Sequence, residues 1–235
     1  MDTSSNTGSA NERLISDLAT DLAPVRRLRP PSVRALAWLA VVVVTATVLA
    51  MVADLSALGH RLSSVPDMWL SVTGSTLTAI LAAIAAFQLS LPDARRTWAL
   101  LPLPAMLLWI VASGVGCLRT WFVPGTHAAD LSETRDCLIF IIGLSVPLSA
   151  LLLIMLRRAC PLQPALTALI AGLASAAAAA TLLNFFHPFD AAATDLTVHV
   201  FAVALVIGAN RALSGRLLAT NFSRRDVTRA VARSN

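Results

Sequence analysis

Long charge-free apolar runs alternate with short polar stretches along most of the chain. The charge-free windows are 35–53, 68–92, 97–118, 137–156, 159–189 and 196–210. A helix crossing the hydrocarbon core of a bilayer needs about 20 consecutive apolar residues. The first five windows meet or nearly meet that length, and the sixth has 15 residues. Arg211 can snorkel from its end and let that helix run on. The pattern therefore predicts an all-α integral membrane protein: a bundle of six transmembrane helices near 35–53, 68–90, 97–117, 137–156, 164–187 and 196–213. Val41, Val42, Val43 and Val44 centre the first helix. The second is milder, with Ser71, Thr73, Ser75, Thr76 and Thr78, whose hydroxyls can bond back to helix carbonyls.

The two ends read differently. Residues 1–34 are polar, with no signal-peptide pattern. Residues 1–11 are rich in Ser, Thr and Asn, a composition that disfavours packing. From Asn11, a helix cap, the text becomes N-E-R-L-I-S-D-L-A-T-D-L-A-P-V-R-R-L-R-P-P. Leu14, Leu18 and Leu22 recur every fourth residue with Ile15 alongside, while Asp17 and Asp21 take the adjoining face. This predicts a short amphipathic helix over 12–24, ended by Pro24, before Pro30-Pro31 leads into the first span. Such a helix is marginal alone and gains order from a partner groove or a lipid surface. The chain divides into an amino-terminal segment (1–34), a transmembrane domain (35–215) and a basic tail (216–235).

Arginine sets the orientation, because inner loops carry the excess of basic residues. Lysine is absent, and 15 of the 18 arginines lie in the amino-terminal segment, the loops after helices two and four, and the end of the chain. Arg61, Arg119 and Arg135 alone fall on the other side, with all four histidines and with Asp54, Asp67, Asp130, Glu133, Asp136, Asp190 and Asp195. Both termini are predicted to be cytoplasmic, in the inner membrane of a bacterium.

Composition narrows the function classes. The chain is 57% hydrophobic and 13% charged, against about 25% charged in soluble domains, which excludes an ordinary globular enzyme. No phosphate loop, H-E-x-x-H or other cofactor motif occurs, so no enzyme and no resident cofactor is expected. The arginine-rich tail meets lipid or protein more simply than nucleic acid, since no recognition fold accompanies it. A small transporter or channel, its amino-terminal helix lying on lipid, is the alternative class. It finds little to work with, because the spans lack midplane acids and bases and carry Gln88 and Asn184 as their amides.

The run D-L-A-P-V-R-R-L-R-P-P (21–31) ahead of six short spans resembles the NrsF family of membrane-bound anti-sigma factors. Cys137-Leu138, Leu144-Ser145, Pro147, Arg157-Arg158, Pro161-Leu162, Pro164 and Ala171-Gly172-Leu173-Ala174 extend the resemblance over most of 14–220. It implies a cytoplasmic segment that binds an extracytoplasmic-function sigma factor and keeps it from RNA polymerase. Leu14, Ile15, Asp17, Leu18, Asp21, Leu22, Pro24, Val25, Arg26 and Arg27 are the residues this assigns to binding. It also implies that outer-side cysteines sense heavy-metal or oxidative stress. Here the sequence departs from the family: the second cysteine is replaced by His187, followed by Pro188, and Val198 precedes His199.

Three readings of the outer residues stand side by side. Cys117 pairs with Cys137 in a switchable disulfide, which an oxidising periplasm permits. Alternatively Cys137, His187 and His199, with or without Cys117, bind a soft metal ion such as zinc. The third reading is interfacial packing. The small residues Ala171, Gly172, Ser175 and Ala176 mark a helix face able to slide.

Overall fold

Two prolines set the start of the first long helix. Pro30 is extended (φ −50°, ψ 145°), and Pro31 occupies the first turn of α1 (Pro31–Ala50), where a missing N–H costs nothing. The Arg34 N–H closes that turn on the Pro30 carbonyl at 3.2 Å. In this computed structural model, residues 11–13, 15–17, 19–20, 28–64, 66–122, 131–159, 161–186 and 200–213 are described. Among them there is no strand. After α1 come α2 (Leu55–Ser64), α3 (Pro66–Leu89), α4 (Leu103–Phe122), α5 (Leu131–Arg157), α6 (Pro164–Leu183) and α7 (Val200–Leu213). Five described helices are long and apolar enough to cross a membrane, and α7 is a shorter apolar helix.

Helix ends depart from the charge-free windows for local reasons. The window at 97–118 splits into a 3-10 turn (Arg96–Leu100) and α4, because Pro102 and Pro104 lack donors and disfavour helix just before them. α4 then continues past Arg119, and α5 begins before Glu133, Arg135 and Asp136. Arginine and glutamate are good helix formers, so a charge limits contact with lipid but not helicity. α2 is an extra element between the first two long helices. Asp54 caps it, its carboxylate accepting the Ala57 N–H at 3.0 Å while its carbonyl accepts the Leu58 N–H at 3.0 Å. Leu55, Leu58 and Leu62 follow at helical spacing.

α3 and α6 form the centre. α3 packs most extensively on α6 and α4, and α6 packs also on α5. Every residue from 170 to 180 is buried, so α6 has no single small-residue face; alanine on all sides lets neighbours close in around it. Two glycines mark the tightest approaches. A Cβ on Gly74 would lie 2.7 Å from the Trp109 backbone nitrogen of α4, and one on Gly172 would lie 3.0 Å from the Ile207 Cα of α7. α1 sits at the edge: Trp38 is fully buried, while Val41, Val43, Val44 and Val48 are exposed.

Candidate functional site

The amino-terminal stretch is helical at residues 11–13, 15–17 and 19–20. The Thr20 hydroxyl donates back to the Ser16 carbonyl at 2.8 Å, a bond that four-residue spacing permits only in a helix. Ile15 and Asp17 are both exposed, Ile15 at 65%. An isoleucine so exposed buries little of its own surface. Leu14, Leu18, Asp21, Leu22, Pro24, Val25, Arg26 and Arg27 lie outside the residues whose placement is described.

The path from that stretch into the bundle is fixed at Arg34. Sequence reading counted this residue only as one more inner-side charge; the structure buries it to 8% exposure. Its Nη1 donates to the Ser90 hydroxyl at 3.4 Å, and Nη2 donates to the Met155 carbonyl. The guanidinium also stands 4.9 Å from the centroid of the Phe87 ring, within cation–π range. Phe87 and Ser90 belong to the end of α3, and Met155 lies in the last turn of α5. Helix ends expose carbonyls without intrahelical donors and carry partial negative charge, so a guanidinium suits both places. The signal in the sequence was an arginine directly abutting the first apolar window, one turn after Pro30.

Further polar contacts tie the helices together deeper in the bundle. The Trp38 indole N–H donates to the Leu148 carbonyl of α5 at 3.1 Å. Ser71 pairs with Ser113 of α4 at 3.1 Å, and Thr181 of α6 donates to Ser75 at 2.9 Å. Thr76 and Thr78 bond back to the Val72 and Gly74 carbonyls. Asn210 is a third amide, overlooked because it closes the last charge-free window. It is buried on α7 and donates to Ser149 of α5 at 3.1 Å. The Asn210 side-chain amide oxygen Oδ1 and the hydroxyls of Ser145 and Thr167 are buried with no partner. They lie on α7, α5 and α6 respectively.

On the opposite end, Cys117 lies within α4, five residues before its last, and Cys137 within α5, six residues after its first. Neither therefore ends or begins its helix. Their side chains, together with His187 and His199, lie outside what is described, as does Cys160. Among the described residues, no three His, Cys, Asp or Glu side chains gather as a metal site.

Comparison with known protein families gives a match. A family model described as NrsF, negative regulator of sigma F, covers residues 18–219. It begins within the amino-terminal segment and runs through all the long helices and α7. No curated protein and no solved structure matches the chain.

Proposed function

The chain belongs to the NrsF family of negative regulators of sigma F, and from that membership we propose that it is a membrane-bound anti-sigma factor. Its cytoplasmic helix, residues 12–24, sequesters an extracytoplasmic-function sigma factor. Leu14, Leu18 and Leu22 bury their stripe in a groove of that partner, flanked by Ile15. Asp17 and Asp21 meet basic side chains that otherwise contact DNA or polymerase, and the Pro24–Arg27 run lies along the same surface. The supporting observation is that the family match begins at residue 18 and so takes in the second half of this segment, Leu18 and Leu22 included. The exposure of Ile15 and Asp17 agrees with it, since a helix that docks elsewhere leaves its contacts free in the bundle.

The remaining chain anchors the segment in the inner membrane. Exposed valines on α1 and exposed Leu107, Ile110 and Val111 on α4 need an apolar surrounding, which lipid supplies. The arginine distribution puts both termini on one side, and that demands an even number of crossings. Five long helices give an odd number, so α7 is the sixth. Its 14 described residues span about 21 Å as helix, and the shortfall is met by snorkelling and local thinning. The signal is a periplasmic-side metal or oxidative stress received at Cys137, with Cys117, His187 and His199 as its companions.

The test is transcription from the sigma factor's own promoters in cells carrying full-length Leu18→Glu. Burying a leucine contributes about 1.5–3 kcal/mol, so its loss weakens binding roughly tenfold to a hundredfold. The expected outcome is unstressed transcription raised towards that of cells lacking the regulator. Unchanged repression at equal abundance removes the docked-helix reading.

A further inference from the structure

Residues 28–30 are exposed, and the first buried residue of α1 is Arg34, four residues after Pro30. At that point the backbone is held twice. Arg34 donates its own N–H to the Pro30 carbonyl, and its side chain is fastened to two other helices. Both fastening points lie at helix ends: Phe87 and Ser90 on α3, Met155 on α5. Lysine could not replace this arrangement, since an ammonium is a single point and a guanidinium is a planar fork that also stacks on a ring. The direction in which residues 28–30 emerge is thereby tied to where the ends of α3 and α5 stand relative to each other.

α5 also connects this point with the opposite end of the bundle. From Cys137 to Met155 it is one unbroken helix, about 27 Å long. Pro147 lies midway and removes the N–H that would bond the Gly143 carbonyl, a natural place for the two halves to bend. On its other flank α5 meets α7 through Ser149 and Asn210, beside buried polar atoms that have no partner. α5 is thus the one helix that carries both an acceptor of Arg34 at one end and Cys137 near the other.

We infer that Arg34 is the latch that positions the sigma-binding segment, and that α5 is the element whose displacement opens it. This rests on the anti-sigma reading. While Met155 and Ser90 stay in place, Arg34 holds the segment in the exit direction in which it binds its partner. A shift of the Met155 carbonyl takes away a bond from a buried cation and frees that direction. Arg34 touches no sigma factor; it acts through the segment it orients.

The experiment compares full-length wild type, Arg34→Ala and Arg34→Lys in native membranes at measured abundance. Two readouts are taken: sigma factor co-purified per molecule of regulator, and the rate of limited tryptic cleavage after Arg26 and Arg27 without partner. Arg34→Ala should lower retention by about fivefold or more and speed cleavage. Arg34→Lys should fall between it and wild type in both. Wild-type retention and cleavage rate in Arg34→Ala would overturn the latch. Should Arg34→Ala be missing from membranes, wild-type values in Arg34→Lys would overturn it equally. If wild type itself retains no sigma factor, the anti-sigma reading fails, and cleavage rates still decide whether Arg34 orders the segment.

Discussion

A glycine and an arginine show how much single residues decide in this bundle. Gly74 is where α3 and α4 touch: an added Cβ would press 2.7 Å from Trp109 N and 2.8 Å from its Cα. Backbone cannot rotate away, so the helices must part. Gly74→Ala should therefore cost about 1–3 kcal/mol, read as a lower Tm in detergent. Gly114→Ala is the control, because nothing lies within 4 Å of its added methyl. That variant should hold or gain stability, as alanine is the better helix former. Equal Tm for both would mean that α3 and α4 do not approach as described. Neither residue's role was legible in sequence. A hydropathy window registers that Arg34 is charged and Gly74 small, but the partners Ser90, Met155 and Trp109 are brought to them only by tertiary packing.

Elements were legible in proportion to how far each one's own sequence determines it. The long helices stand out because lipid-compatible length needs no information about neighbours. α2 escaped that reading, although Asp54 followed by Leu55, Leu58 and Leu62 is a capped amphipathic turn pattern. It is too short to register as a span and too apolar to register as a loop. The ends of α4 and α5 run past the charges that bound their apolar windows, because a charge limits contact with lipid but not helicity. On the proposed sensing role, Cys117 and Cys137 lie inside helices, so a change at Cys137 would act on a helix that continues to Met155 rather than on a loose loop. Cys137→Ser should abolish or strongly blunt induction by metal or oxidant while leaving unstressed repression intact, measured as the ratio of stressed to unstressed sigma-dependent transcription. A normal ratio would assign the cysteine to packing.

Across the whole molecule, the proposed topology with six crossings gathers 15 of 18 arginines on one side and sets both ends of the chain there. With alkaline phosphatase fused to the chain, activity is expected after residue 125, between α4 and α5, and absent after residue 220. An active fusion after residue 220 would remove α7 as a crossing and put the two tails on opposite faces. Family membership over residues 18–219 ties this architecture to control of a sigma factor. The proposed function stands or falls on whether the amino-terminal helix of the intact, membrane-embedded chain holds that factor by its leucine stripe. The direct measurement is affinity purification of the full-length protein from unstressed cells, wild type against Leu18→Glu, with bound proteins identified by mass spectrometry. A sigma factor is expected with wild type, and its loss from the variant at equal abundance. A sigma factor recovered equally with both, or with neither, would contradict it.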